Sequence, residues 1–69
     1  MNSITLCLQD RQWFAHYRGP KGAELRKHFG SAFVPTPYTI NANRVDMLRD
    51  IAARNPGFTV TLAGPPSTR

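Results

Sequence analysis

Residues 3–18 carry two runs of alternating apolar side chains that one antiparallel register satisfies completely. Ile4, Leu6 and Leu8 share one face of the first run, and Trp13, Ala15 and Tyr17 share one face of the second. With Asp10 and Arg11 as a two-residue turn, Leu8 falls opposite Trp13, Leu6 opposite Ala15 and Ile4 opposite Tyr17. Side chains alternate with a period of two, so a slip of one residue would send the whole apolar set to solvent. The sequence therefore predicts a β-hairpin with an inward apolar face. Thr5, Cys7, Phe14 and His16 are left on the outward face, which is not uniformly polar.

Downstream of the hairpin the periodicity changes. Gly19-Pro20 ends the strand, and proline suits the first position of a helix. A helix is expected over roughly 21–29, with Leu25 and Phe29 one turn apart and Gly30 as the left-handed end cap. Glu24 is within reach of Lys27 or His28, and Arg26, Lys27 and His28 fall in the last turn, where the helix dipole favours cations. Pro35 and Pro37 push Val34 and Thr36 into extended geometry, so residues 31–38 cannot be helical and read as a loop. Phe33 and Val34 are expected to fold back over the core between the helices; the other reading of this proline-stiffened strip is a recognition segment.

A second helix is expected from about Ile40 to Arg54 with Thr39 as its cap, Asn43 with Asp46 offering a later start. Val45, Leu48, Ile51 and Ala52 form its apolar stripe at helical spacing. Asp46 can reach Arg49, and Asp50 can reach Arg54. Asn55-Pro56-Gly57 stops the helix. Phe58, Val60 and Leu62 then alternate with Thr59 and Thr61 to give a third strand. It is expected to run parallel to the first strand and to pair with either the first or the second. The fold class is thus α+β in the order ββααβ, a two-layer sandwich with one sheet face open. One domain spans residues 1–62, followed by a flexible tail over 63–69.

Size and charge limit what such a domain can do. The chain has 69 residues, and a domain of this size buries only about 60% of the surface its unfolded chain exposes. Little volume is left for an enclosed substrate pocket. The single cysteine excludes an internal disulfide framework and fits a reducing compartment. There is no basic leader running into an apolar run, and no stretch near the ~20 apolar residues that cross a bilayer. The expectation is a cytoplasmic protein with no membrane partner. Nine Lys and Arg against four Asp and Glu give a net charge of +5, which suits a polyanion only if the cations converge. Arg11 and Arg18 lie about 23 Å apart along one strand at ~3.3 Å per residue, and on opposite faces. Helix ends and helix pairs account for Arg26, Lys27, Arg49 and Arg54, leaving Arg18, Lys21 and Arg44 without a structural role.

Catalytic and metal chemistry finds little to work with. Cys7 and His16 are diagonal neighbours on the open face, but no third group orients them and no pocket excludes water. Cys7, His16 and His28 lack the short ligand spacing of a structural zinc site. Lys21-Gly22 has no glycine-rich loop before it and is not a phosphate cradle. No cofactor is implied.

The segments Trp13-Phe14-Ala15-His16-Tyr17-Arg18-Gly19-Pro20, Phe29-Gly30-Ser31 and Val34-Pro35-Thr36-Pro37-Tyr38-Thr39 resemble those of short uncharacterised bacterial or mobile-element proteins. They cover under half of the chain, and the resemblance implies no activity. The functional expectation is a non-catalytic protein-interaction or accessory module using the open sheet face. Phe14, His16 and Arg18 are central to it, Phe33 and Tyr38 of the loop come next, and the partner is another protein or a second copy of the chain. The alternative is a nucleic-acid-binding module of modest affinity using Arg18, Lys21 and Arg44.

Overall fold

Asp10 and Arg11 both adopt left-handed backbone angles, with φ of 51° and 67°, the pair of positive values that a type I′ hairpin turn requires. Each costs about 1–2 kcal/mol in a residue with a Cβ, and the strands they join define the rest of the molecule. The structure is a computed structural model and describes residues 1–63. Strands β1 (Asn2–Gln9) and β2 (Gln12–Arg18) pair antiparallel, with Leu8 opposite Trp13, Leu6 opposite Ala15 and Ile4 opposite Tyr17, as the alternation dictates.

Helix α1 (Pro20–Phe29) begins one residue earlier than expected, with Pro20 at its first position. Gly19 has no side chain with which to cap it, and the Asn2 carboxamide oxygen takes that part, accepting from the Lys21 amide at 3.0 Å. Gly19 sits at φ 92°, where a Cβ would collide with the Met1 carbonyl and with Asn2. At the other end Gly30 adopts the left-handed cap and donates its amide to Arg26.

The expected loop is a strand, and this corrects the expected element order. Val34–Thr39 forms β3, so the chain reads ββαβαβ, with four strands. Prolines argue against a central strand because they have no amide N–H to donate to the ladder, but an edge strand tolerates them where that position faces solvent. β3 lies at the edge, antiparallel to β2, with Val34 opposite Ala15 and Pro35 opposite Phe14. The register shifts between Gln12 and Phe14, and side chains bridge the gap. The Thr36 hydroxyl donates to the Trp13 carbonyl at 2.8 Å, and the Gln12 carboxamide donates to the Thr36 carbonyl at 2.9 Å. Val34 packs on the core as expected, but from the sheet rather than from between the helices.

Helix α2 (Arg44–Arg54) starts four residues later than the Ile40 start expected, because Asn43 rather than Thr39 caps it, accepting from the Asp46 amide at 3.1 Å. Its buried stripe is also displaced. Met47 and Ile51 are buried and Leu48 half-buried, whereas Val45 is 54% exposed and Ala52 is exposed. Asn55 ends the helix, Gly57 turns the chain at φ 91°, and β4 (Phe58–Leu62) pairs parallel to β1. The sheet order is β3-β2-β1-β4. Of the tail expected over 63–69, Ala63 donates its amide to Leu6 at 2.8 Å, and residues 64–69 lie outside the described residues.

The core gathers Ile4, Leu6, Trp13, Ala15 and Tyr17 from the hairpin with Met47 and Ile51 from α2. Leu25, Val34, Tyr38, Leu48, Phe58, Val60 and Leu62 pack around it. Met47 is fully buried at its centre. Met47→Ala is expected to destabilise the fold by about 2–5 kcal/mol, the cost of a core truncation that leaves a cavity. Chemical denaturation should show this as a lower midpoint with an unchanged slope.

Candidate functional site

All of the core's weight falls on one sheet face, and among the described residues the other face has no layer over it. Along β2 the alternation that buries Trp13, Ala15 and Tyr17 sends Phe14, His16 and Arg18 outward. Cys7 pairs with Phe14 and Thr5 with His16 across β1. Pro35 lies beyond Phe14 on β3, and Thr59 and Thr61 complete the face on β4. Phe14, His16 and Cys7 are half-buried on this face.

The segment entering β3 adds to this face. The Phe33 ring lies against the His16 imidazole, with centroids 4.9 Å apart and planes tilted by 30°. His16 Nδ1 donates to the Ala32 carbonyl at 2.8 Å. A carbonyl only accepts, so the proton is on Nδ1 and the ring is held in one orientation. Ser31 stiffens the approach: its hydroxyl donates to the Phe33 carbonyl at 2.8 Å and accepts the Phe33 amide at 3.2 Å. Phe33 thus stands 46% exposed beside His16 rather than over the core. Phe14, His16, Phe33 and Arg18 come together on one surface.

Tyr38 does not join them. It points to the helix side, where its hydroxyl donates to Asp50 of α2, and Arg54 pairs with the same carboxylate at 3.0 Å. These groups rim a groove of about 230 Å³ between β3 and the C-terminal half of α2, floored by Ala15, Tyr17 and Ile51. Tyr38 is a strut between β3 and α2, and nothing in the sequence linked it to Asp50, twelve residues away in the next element.

The three cations without a structural role are also dispersed. Arg44 lies over the buried Trp13 ring, 5.4 Å from its centroid, on the helix side of the sheet. That contact gives it a structural role, since cation–π pairing with tryptophan is the favourable case. Lys21 sits in the first turn of α1, tied through its backbone to Asn2. Arg18 alone of the three is on the open face. That face carries no carboxylate among the described residues: Asp10 is in the hairpin turn, Glu24 on α1, and Asp46 and Asp50 on α2. Among the described residues no three His, Cys, Asp or Glu side chains come together to hold a metal ion, and no helix is long and apolar enough to cross a membrane.

The strut carries a pH signature. The hydrogen bond from Tyr38 and the Arg54 guanidinium together hold the Asp50 carboxyl below its ordinary range. The same bond, with some desolvation, raises the Tyr38 phenol. A depressed carboxyl means that the unfolded chain binds the extra proton, so this stability is present at neutral pH and lost as pH falls through the folded value. For the raised phenol the sign reverses, and its contribution is lost as pH rises above 10. Asp50→Asn should flatten the acid limb of the urea midpoint against pH, and Tyr38→Phe the alkaline limb; unchanged limbs would remove the strut from the account. No family model, curated protein or solved structure matches the chain.

Proposed function

We propose that this protein is a small non-catalytic interaction module that binds a protein partner on its open sheet face. The observation carrying this reading is the cluster of Phe14, His16 and Phe33, with Arg18 beside it, on a sheet face that no other layer covers among the described residues. Aromatic side chains and arginine are the residue types that anchor protein interfaces, because they bury large rigid areas at low entropic cost. Phe33 is already packed on His16, and His16 is already fixed by Ala32, so less ordering remains to be done on binding. Pro35 opposite Phe14 extends the apolar strip on a strand that its prolines stiffen.

A nucleic-acid ligand is the second reading, favoured by one observation: the same face holds Arg18 and no carboxylate among the described residues. Stacking of single-stranded bases on an exposed aromatic is worth about 1–3 kcal/mol per base. Against it stands the position of Arg44 on Trp13, away from that face. A phosphate-tracking stripe needs cations in line, and here they are scattered.

The two readings separate experimentally. A photo-crosslinking amino acid in place of Phe14 should trap a discrete protein partner in cells, while the same group in place of the exposed Ala53 should not. Phe14→Ala should reduce capture at least tenfold with the circular dichroism spectrum and melting midpoint retained, since the side chain makes no core contact. Unchanged capture would refute the protein-partner reading. Binding to a short single-stranded oligonucleotide that falls steeply with salt and with Arg18→Glu would move the assignment to nucleic acid.

A further inference from the structure

The two edges of the sheet are not equivalent. β3 closes one edge with Pro35 and Pro37, which leave fewer amides for a neighbouring strand to accept from. β4 forms the other with Phe58-Thr59-Val60-Thr61-Leu62, a strand without proline, charge or bulge. Prolines, charges and bulges are the devices that keep exposed edges from pairing, and β4 has none. We propose that β4 is the interface of a symmetric homodimer, pairing antiparallel with β4 of a second copy of this chain about a twofold axis through Val60.

The sequence of β4 favours that partner because it reads alike in both directions. About Val60, Phe58 falls opposite Leu62 of the second copy, Thr59 opposite Thr61, and Val60 opposite itself. Every apolar residue stays on the helix side and every threonine on the open side, so the pairing keeps the face pattern that fixes register. Threonine pairs directly across an antiparallel ladder are favourable. A twofold antiparallel contact is also self-complementary in its hydrogen bonds.

The backbone polarity agrees. Ala63 donates its amide to Leu6 of β1 at 2.8 Å. Amide directions alternate along a strand, so Thr59 and Thr61 face β1 while Phe58, Val60 and Leu62 turn their polar groups to the free edge. The Phe58 amide is already taken by the Asn55 carbonyl at 3.1 Å. Among the described residues, what remains is the amide and carbonyl of Val60, the amide and carbonyl of Leu62 and the carbonyl of Phe58. In the proposed register the two Val60 residues exchange both bonds, and each Leu62 amide reaches the partner's Phe58 carbonyl. The free donors of one edge thus meet free acceptors of the other.

Helix α2 supplies the second layer. Its Asp50–Arg54 side faces Tyr38 of β3 and the groove. At 100° per residue Val45 lies about 180° from Arg54, so the flank with Val45, Leu48 and Ala52 faces the β4 edge. Val45 and Ala52 are exposed and Leu48 is half-buried. With Ile51 these residues form the apolar stripe whose spacing pointed to a core; within one copy Ile51 is buried, and the core leaves the Val45–Ala52 side uncovered. The twofold that pairs the β4 strands brings two such flanks together antiparallel, Val45 toward Ala52. Asp46 and Arg49 border the stripe, opposite in sign and without an ion pair among the described residues. Across the twofold each can face the other's counterpart.

Sedimentation of the full chain should show a monomer–dimer equilibrium, and in the dimer the Val60 and Leu62 amides should exchange slowly with solvent. Val45→Glu puts a charge into the helix seam at an exposed, first-turn position where glutamate suits the helix dipole, so the fold is retained. It should raise the dimer dissociation constant at least tenfold and speed exchange at Val60 and Leu62, whereas Phe14→Ala should change neither. A chain that stays monomeric at millimolar concentration overturns the proposal. So does a dimer that Val45→Glu leaves intact, or one in which the Val60 amide exchanges freely.

Discussion

The β1–β2 pairing is the constraint on which the other elements depend. Its turn holds Asp10 and Arg11 in a conformation that disfavours both residues, and the strain is tolerated because a primed turn carries the twist that paired strands need. Once that register is set, Ile4, Leu6, Trp13, Ala15 and Tyr17 form a continuous apolar surface. Neither helix is long enough to persist alone in water. Each holds its shape by laying its apolar side on that surface. The end of β2 also positions α1, since Arg26 donates to the Tyr17 carbonyl at 2.6 Å and a Cβ on Gly22 would press on the Tyr17 backbone.

What could be read from the sequence follows the range of the interactions that decide each element. The hairpin was legible because its two strands are adjacent and their alternation is complete, and Gly30 and Asn55-Pro56-Gly57 marked helix ends through local backbone preferences. β3 was not legible. Pro35 and Pro37 disfavour a strand locally, and only a neighbour at a sheet edge, bridged by Thr36 and Gln12, makes one. The face of α2 was legible only in part, for a similar reason. Val45-Leu48-Ile51-Ala52 and Met47-Leu48-Ile51 both have helical spacing and share Leu48 and Ile51, and the choice of Met47 over the Val45–Ala52 side is made by where the Asn43 cap and the turn into β4 place the helix on the sheet. Of the residues proposed for interaction, Phe14, His16 and Arg18 were placed on the open face by alternation. Phe33 reads from the sequence both as a core residue and as part of the interaction set, and it stands beside His16; Tyr38 reads as part of the same set, and it bonds Asp50 on the helix side.

A chain of this size has one core and little volume for an enclosed pocket, so what it offers to other molecules is surface. Among the described residues three surfaces stand out: the open face, the groove beside Tyr38, and the β4 edge. They differ in chemistry. The groove is closed on its polar side by the Tyr38–Asp50–Arg54 contacts, which already satisfy one another. The open face offers aromatic area with its hydrogen bonds mostly made, and suits a ligand that contributes burial. The β4 edge offers unpaired backbone groups, and suits a strand.

The twist of the sheet decides how the face and the edge combine. In a dimer joined through β4, the β2 strands of the two copies are separated by β1 and β4 of each, five strand intervals or about 24 Å at ~4.8 Å each. Adjacent strands rotate by about 20–25°, so the two Phe14 patches turn away from each other by on the order of 100–125°. One flat, rigid partner cannot cover both patches. The dimer therefore presents two separate sites to two partner molecules, or to two parts of one long flexible partner. Avidity arises only in the second case, where the tether must span the edge between the patches. The association at β4 multiplies the site around Phe14 without enlarging it, which is why the two surfaces can be disrupted independently.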